Sequence, residues 1–351
     1  MYVFLFVFAL LIYALSTQNK NPSLFYLLSA FLIIICGFRG INVGRDTLEY
    51  HQIFENIVKG NPVAVKEYGY ILLVKVIAYI GGTQQLIFLI ISIITMWGFS
   101  RFILLYSSDI YLSLLIFIFI GPFYLGAFNQ MRQYLAISIF LGYCVPLIQQ
   151  RKFLYFTLIT IIAALFAHLS IIILFPLYFL LNRKITLFYK IIILFGFNTA
   201  LGFLTFIILN SPYGYFLARQ KEVSIELTLI AVQIVISLFF LILEKNITYG
   251  VKNHGIFFNM AFFSTLMLLT AVFYPTLPGE VFLRVNNYLF PFMIILVPDF
   301  LKIFDLKKKV LATAGMICFI SLYYVRTAIL LGKSYDLSPY SFNFAIFKFL
   351  E

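Results

Sequence analysis

The stretch QQLIFLIISIITMWGFSRFILLY, Gln84–Tyr106, decides the class of protein to which this chain belongs. Its single charged residue is Arg101, and the residues on either side of it are almost entirely apolar. A helix that crosses a bilayer needs about 20 such residues. The stretch therefore predicts a membrane-spanning helix.

The rest of the chain has the same character. Apolar residues make up 63% of the 351 residues and charged residues 11%, with a mean hydropathy of +1.03. This composition excludes a soluble enzyme, a disordered chain and a secreted disulfide scaffold. The three cysteines lie inside apolar stretches and form no metal or disulfide pattern. The net charge of +12 is spread over short links, so we expect no nucleic-acid partner.

Charges and turn residues divide the sequence into apolar segments that predict an all-α polytopic membrane protein with about twelve crossings. We expect a single integral membrane domain over 1–351, an extracytoplasmic loop over 39–82 and an extracytoplasmic interfacial tail over 332–351. The predicted spans are Met1–Leu15, Ser23–Phe38, Gln84–Tyr106, Ile110–Ala127, Asn129–Ile148, Lys152–Ala167, Leu169–Leu181, Leu187–Leu209, Glu226–Glu244, Ile256–Tyr274, Asn286–Phe304 and Val310–Leu331.

The short loops predict the orientation. Basic clusters at Arg151–Lys152, Arg183–Lys184 and Lys307–Lys309 fall on one side when the spans alternate, and the positive-inside rule makes that side cytoplasmic. Arginine is relatively more frequent in the loops of the opposite side. Because arginine suits carboxylate and phosphate groups, this distribution points to an anionic ligand outside the cytoplasm.

The loop over 39–82 carries the next pattern. Tyr50, Phe54 and Ile57 recur at helical spacing, which predicts an amphipathic helix on the membrane surface. Asp46 is placed to cap this helix and Asn61–Pro62 to end it. The apolar residues after Glu67 are too few to span, so we expect a re-entrant or interfacial helix there.

Candidate site residues begin in the same loop. Arg39, Arg45, Asp46 and Tyr50 follow the end of an apolar segment, and Glu67 precedes the next. These residues are either a capped helix with its own surface ion pairs or a site where arginine meets an anion. Glu67 is either a favourable charge at a helix start or a carboxylate able to accept a proton from a sugar hydroxyl.

The sharpest pattern surrounds Arg132, near the start of an otherwise apolar segment. Asn129 and Gln133 are four residues apart, and helical spacing predicts that they share a face with Arg132. Arginine at membrane depth is costly and faces a cavity or a partner unless it reaches the interface. A positive charge beside a helix N-terminus also favours a nearby anion.

Further candidates come from later segments. His168, followed by Ser170, lies between apolar runs toward the outer face; it is either a core histidine or a proton acceptor. Arg219 and Arg284 flank other outer helix ends, as interfacial anchors or as ligands of the same anion. Because the candidates from these separate segments are predicted on one side of the membrane, we expect a shared cavity.

Together these motifs resemble the EpsG family, which is related to the Wzy polymerases of bacterial O-antigens, capsules and exopolysaccharides. The resemblance covers roughly Arg39 to Tyr288. Its motifs are Arg39–Tyr50 with a Gly-Arg-Asp-Thr core, Glu67–Tyr70, Asn129–Ala136 with Asn-Gln-Met-Arg-Gln, His168 with Ser170, and Arg284–Tyr288.

The resemblance implies a membrane glycosyltransferase of the GT-C-like class in the bacterial inner membrane, with its active site on the extracytoplasmic side. Its implied substrates are undecaprenyl-diphosphate-linked oligosaccharides, as donor and acceptor, and its implied partners a flippase and a chain-length regulator. We expect no cofactor and no metal. The expected proton acceptors are His168, Glu67 and Asp46, in that order. The expected diphosphate- or substrate-binding residues are Arg132, Arg45, Arg39, Arg284, Arg219, Asn129, Gln133 and Tyr50.

Three other functions share some of these features. An O-antigen-type ligase would use the same donor and the same arginine chemistry. A flippase should show structural repeats and polar residues near the membrane midplane, and neither is apparent in the sequence. A membrane acyltransferase would need a histidine accessible from the cytoplasm, whereas His168 is predicted on the outer side.

Overall fold

The computed structural model describes residues 1–16, 22–120, 123–209, 227–248, 255–274, 279–330, 332 and 336–347. Within these ranges the chain is helical. Extended segments pair there at two isolated bridges, Arg39 with Phe342 and Gly82 with Phe347. The prediction of an all-α architecture is therefore confirmed for the part of the chain that the structure describes.

Short, apolar helices dominate the first half of the chain. The helices are α1 Tyr2–Ser16, α2 Ser23–Gly37, α3 Thr47–Lys59, α4 Tyr68–Tyr79, α5 Gln84–Tyr106, α6 Ile110–Phe119, α7 Gly126–Asn129, α8 Met131–Ile139, α9 Val145–Gln149 and α10 Phe153–Phe166. A π-helical turn, Phe140–Cys144, joins α8 to α9.

The second half begins with a 3₁₀ helix, Leu169–Leu174. The helices that follow are α11 Leu177–Leu181, α12 Leu187–Leu209, α13 Leu227–Thr248, α14 Gly255–Phe273, α15 Gly279–Leu289, α16 Phe292–Leu301 and α17 Leu306–Tyr324. A second π-helical turn, Val325–Leu330, continues α17.

Several of these helices are suited to cross a membrane. In the described ranges four helical segments are long and apolar enough, Gln84–Tyr106, Met131–Gln149, Gly255–Phe273 and Leu306–Ala328. The pair α15 and α16, bent by 42°, makes a fifth if it is one span, and further apolar helices have 10–17 residues. The chain is thus a multi-pass membrane protein, while the number of twelve crossings stays a prediction.

Three expected spans are not single helices in the structure. The helix expected over Ile110–Ala127 ends at Phe119, and the one expected over Asn286–Phe304 is interrupted between Leu289 and Phe292. Leu169–Leu181 is not one helix but the 3₁₀ helix Leu169–Leu174 followed by the five-residue α11. Pro176 lies at the break. Because proline has no N–H to donate and its ring disfavours a helical conformation in the preceding residue, a continuous helix is interrupted here.

The chain divides into two compact units, one formed by Met1–Ile172 with Val297–Glu351 and the other by Ile173–Leu296. In the first unit α5 packs against α2, α8 and the π-helical turn. Arg101 is satisfied within this packing, because its Nε donates to the Gly142 carbonyl at 2.9 Å. A single integral membrane domain requires that the two units assemble with each other, so this expectation stays a prediction.

The second unit holds polar contacts between its helices. Ser264 on α14 donates to Asn286 on α15 at 2.6 Å, and Asn286 donates to Gln233 on α13 at 2.9 Å. Lys190 on α12, which is buried, forms an ion pair at 2.5 Å with the half-buried Glu244 on α13. These contacts satisfy polar groups that apolar surroundings would otherwise penalise.

The loop over 39–82 contains the two predicted helices, α3 and α4. Tyr50, Phe54 and Ile57 are buried along one face of α3, as its periodicity predicts. The helix ends at Gly60, which adopts a left-handed conformation, one residue before the predicted Asn61–Pro62 stop.

The C-terminal tail lies along both ends of this loop. Ser341 O accepts from the Gly40 N–H at 2.8 Å, and Ile346 O accepts from the Thr83 N–H at 3.0 Å. Asn343 N–H donates to Phe38 O at 2.8 Å. The tail therefore joins the two ends of the segment that carries α3 and α4.

Candidate functional site

An ion pair between two predicted residues lies at the centre of the candidate site. Arg132, in the first turn of α8, places Nη1 2.7 Å from Oε2 of Glu67, the residue that precedes α4. Their side chains are only 16% and 7% exposed. A guanidinium and a carboxylate from segments 65 residues apart in sequence are thus held together in a largely buried position.

Two tyrosines surround the guanidinium of this pair. The Arg132 Cζ lies 5.8 Å from the centroid of the Tyr50 ring and 5.2 Å from that of Tyr70. Both rings are buried, Tyr50 on α3 and Tyr70 on α4. Aromatic faces stabilise a cation at this distance while keeping water away from it.

Glu67 is positioned by the packing of α4 against α10. At Gly69 the two helices approach so closely that a Cβ atom would lie 2.6 Å from Cγ of Phe166. This approach brings the end of α10 to Glu67, whose Oε1 accepts from the Leu169 N–H at 3.3 Å. Both carboxylate oxygens of Glu67 therefore have a donor.

These donors determine the ionisation of Glu67. Burial opposes the charged form, but the positive charge of Arg132 and the Leu169 N–H outweigh it, so the pKa of Glu67 is lowered from its usual value of 4.5. The carboxylate is therefore ionised at neutral pH while it remains paired.

His168 lies at the end of α10, within electrostatic reach of Glu67. Its Nδ1 accepts from the Ser170 N–H at 3.2 Å and lies 2.9 Å from the Ser170 hydroxyl. Because Nδ1 is an acceptor in this arrangement, the proton of the neutral ring is on Nε2. His168 thus presents a donor from its half-buried ring.

The Gly-Arg-Asp-Thr segment is attached to the start of α8. Gly44 has a φ of +95°, and a Cβ atom on it would lie 2.7 Å from the Phe128 carbonyl oxygen. This close approach places the Arg45 N–H 2.8 Å from Oδ1 of Asn129, which accepts from it. The Asn129 side chain thus holds the loop through the main chain of Arg45, and the Arg45 side chain is exposed.

Two local expectations for these residues are wrong. Asp46 occupies the N-cap position of α3, but its side chain makes no capping hydrogen bond there. Asn129 and Arg132 do not share one continuous helix, because Gln130, with φ −97° and ψ 50°, separates α7 from α8. Asn129 instead turns toward the Gly44–Arg45 backbone.

Arg39 is completely buried and has a different environment from Arg132. Its guanidinium donates to the Cys36 carbonyl at 2.8 Å and to the Thr47 hydroxyl at 3.2 Å, and it lies 4.2 Å from the centroid of the Phe88 ring. Its hydrogen bonds with these neighbours join the end of α2 to the start of α3.

The remaining predicted residues are distributed as follows. Gln133 is buried beside Arg132 in α8. Arg284 is half-buried on α15, in the second compact unit, and Arg219 lies outside the described residues. The structure thus brings together Arg132, Glu67, Tyr50 and His168, all within the first unit.

Three contributors to the site were assigned no role from the sequence, although Tyr70 belongs to the Glu67–Tyr70 motif. Tyr70 stands in an apolar run, although its place three residues after Glu67 marks the same helix start. Gln84 begins α5, much as Gln133 stands near the start of α8, and its carboxamide lies beside the Tyr70 hydroxyl. The Leu169 N–H could not be predicted, because any non-proline residue offers the same donor.

Comparison with known proteins identifies the family. Residues 23–342 match the EpsG family. No curated protein and no solved structure shows significant similarity to the chain. Among the described residues, His, Cys, Asp and Glu side chains form no group of three or more suited to a metal ion. Because the match covers most of the sequence and includes every residue of the Arg132 site, the chain belongs to the EpsG family.

Proposed function

We propose that this protein polymerises a polysaccharide by transferring a growing glycan from undecaprenyl diphosphate to a lipid-linked repeat unit. Membership of the EpsG family indicates a polysaccharide polymerase of the Wzy type in general. The observation that carries the more specific proposal is the Arg132–Glu67 pair, which combines an anion-binding group and a proton acceptor in one largely buried position.

The proposed reaction needs both groups. The bond between the anomeric carbon of the growing glycan and its diphosphate oxygen breaks, and the electron pair leaves with the diphosphate. A new bond forms from that carbon to a hydroxyl of the acceptor sugar, and the hydroxyl proton passes to a base. A preorganised guanidinium stabilises the charge that develops on the diphosphate.

Arg132 is the proposed ligand of the departing diphosphate. Nη1 is held by Glu67, while the buried Nε has no hydrogen-bond partner among the residues that the structure describes. A guanidinium that is oriented by Glu67 and Tyr50 and retains one unsatisfied donor suits an incoming oxyanion. Arg45, with its exposed side chain on the attached loop, is the proposed second cation.

Glu67 is the proposed base, ahead of His168 and Asp46. Nδ1 of His168 accepts a hydrogen bond from the Ser170 N–H, so the ring carries its proton on Nε2 and offers a donor there instead of a proton acceptor. When a diphosphate shares the charge of Arg132, the pairing that lowers the pKa of Glu67 weakens. The pKa then rises, and the carboxylate becomes a better proton acceptor at the moment that donor and acceptor are both bound.

The setting of this reaction follows the family resemblance. We place it at the outer leaflet of the bacterial inner membrane, in a GT-C-like fold with about twelve crossings, without a metal or cofactor. A flippase that delivers repeat units and a regulator of chain length are the proposed partners. A ligase or a flippase for the same lipid-linked sugars is the alternative that the following experiment distinguishes.

The test is the glycan profile of a strain from which the gene is deleted. Single repeat units on lipid at the outer leaflet are expected without polymer, and the wild-type gene should restore the polymer. Arg132→Ala should not restore it at equal expression, whereas Arg326→Ala, which removes an exposed arginine on the second π-helical turn, should.

Other profiles would contradict the proposal. Loss of all repeat units from the outer leaflet indicates a flippase, and polymer that stays on its lipid without reaching a final acceptor indicates a ligase. Polymer of wild-type length and amount from Arg132→Ala would remove the guanidinium from the mechanism.

A further inference from the structure

Two adjacent glutamines at the start of α5 differ in how they are satisfied. Gln84 and Gln85 are 3% and 4% exposed, so both are buried. Gln85 donates from Nε2 to the Gly37 carbonyl at 2.6 Å. Neither Oε1 nor Nε2 of Gln84 has a hydrogen-bond partner in the described part of the chain.

The unsatisfied carboxamide lies next to a residue of the candidate site. The Gln84 carboxamide interacts with the Tyr70 hydroxyl but does not reach hydrogen-bond geometry with it. The Tyr70 ring lies 5.2 Å from the Arg132 guanidinium. The Tyr70 hydroxyl and Arg132 Nε also lack partners among the described residues. Buried groups that make no hydrogen bond weaken a fold, so several of them around one point indicate a place that a ligand or water fills.

The chemistry of these groups selects the ligand. A carboxamide has one donor and one acceptor group, and a tyrosine hydroxyl is both donor and acceptor. A sugar hydroxyl is also both, so it can satisfy them. A phosphate oxygen only accepts, and it would leave Gln84 Oε1 unsatisfied beside a negative charge. We therefore expect the anion to bind to Arg132 and a neutral hydroxyl to bind to Gln84 and Tyr70.

We propose that Gln84 and Tyr70 form a subsite that binds a hydroxyl of the acceptor sugar beside the Arg132–Glu67 pair. This inference rests on the proposed polymerase function and adds the part of the site that recognises the acceptor. The subsite places the hydroxyl-bearing sugar next to the carboxylate that takes its proton, and Gln84 acts by positioning it.

The two glutamines provide a matched experiment. Gln84→Met and Gln85→Met each replace a buried carboxamide by an apolar side chain of similar length. We expect Gln84→Met to retain or raise the melting temperature, because it breaks no hydrogen bond within the protein, and Gln85→Met to lower it, because it leaves the Gly37 carbonyl without its donor.

In an activity assay we expect the opposite order: Gln84→Met should be impaired and Gln85→Met should not. The assay uses purified protein in nanodiscs, with lipid-linked repeat units isolated from the deletion strain as substrate. The free oligosaccharide released from these units by mild acid serves as the competitor. Gln84→Met should weaken inhibition by the oligosaccharide at least fivefold and leave inhibition by undecaprenyl diphosphate within twofold. Gln85→Met, measured at a temperature where it is folded, should change neither.

Each result decides between the possibilities. Wild-type inhibition by the oligosaccharide in folded Gln84→Met would overturn the subsite and leave a water as its occupant. A lower melting temperature in Gln84→Met with unchanged inhibition would make Gln84 structural. Should wild-type protein form no polymer, the proposed function itself fails; polymer formed by wild type but not by Arg132→Ala would keep that function whatever Gln84 shows.

Discussion

Arg39 and Arg132 are both buried arginines surrounded by aromatic rings, yet their environments differ in kind. Arg39 is fully buried and donates to neutral groups, and it has no carboxylate within ion-pair distance among the described residues. Arg132 is 16% exposed, pairs with Glu67 and retains an unsatisfied donor. The first guanidinium is enclosed by the fold, and the second has capacity left for a ligand.

Burial of an arginine therefore does not by itself identify a binding site. Cys36 and Thr47, which receive the hydrogen bonds of Arg39, connect the end of α2 to the start of α3. The partners of Arg132 instead are Glu67, which precedes α4, and the buried rings of Tyr50 on α3 and Tyr70 on α4. What distinguishes a site is an unsatisfied donor next to a charge.

The largest effect is expected from Glu67→Gln. The amide keeps the shape of the side chain but cannot accept the proton, so polymer formed per molecule should fall about 10²–10⁴-fold. The measurement is polymer formation in nanodiscs, normalised to the amount of folded protein. Activity within threefold of wild type would exclude Glu67 as the base and direct attention to His168.

The second largest effect is expected from Arg132→Lys, which should lower the polymer formed per molecule about 10²-fold. Lysine retains the charge but not the planar array of donors, so it should stabilise the departing diphosphate less well. The same polymer assay measures it, with the exposed Arg326→Lys as control. If Arg132→Lys polymerised normally, a simple point charge would suffice and the geometry of the guanidinium would be irrelevant.

Arg39→Met should affect stability instead of chemistry. It removes donors to the Cys36 carbonyl and the Thr47 hydroxyl, which should lower the free energy of unfolding by about 1–3 kcal/mol. Denaturation in detergent measures the loss, and polymer per folded molecule should stay within threefold. A stable Arg39→Met protein without activity would contradict the contrast drawn between the two arginines.

A smaller loss, of about 1–2 kcal/mol, is expected from Gly44→Ala. The left-handed backbone and the contact with the Phe128 carbonyl both disfavour a Cβ atom at this position. The Arg45 loop should then detach from Asn129, which hydrogen exchange of the Arg45 amide can detect. Unchanged protection of that amide would show that Gly44 is not required to hold the loop.

The smallest effect is a dependence of stability on pH. Because the pKa of folded Glu67 is below its ordinary value of 4.5, its contribution to stability is fully present above that value and is lost as the pH falls through the lowered pKa. The melting temperatures of wild type and Glu67→Gln should therefore converge as the pH falls below about 4.5. A constant difference down to pH 3 would mean that the carboxylate does not titrate in this range.

The sequence was informative wherever a local pattern has one physical solution. An apolar run as long as Gln84–Tyr106 must form a helix in a membrane, because lipid offers no partner for free backbone groups. The periodicity of Tyr50, Phe54 and Ile57 likewise predicted the buried face of α3. The costly charge of Arg132 and the acid at Glu67 identified both members of the central ion pair, although not that they pair.

Which of these groups meet depends on the tertiary structure. The sequence ranks Arg132 ahead of Arg39 as an anion ligand but does not show how their environments differ. Arg39 donates to the nearby Cys36 and Thr47, whereas the carboxylate that pairs with Arg132 comes from 65 residues away. Gln84 and Gln85 are the same residue at neighbouring positions, yet one is satisfied by Gly37 and the other faces Tyr70. Helical period and polarity are local properties, whereas hydrogen-bond satisfaction depends on what another helix places within three ångströms.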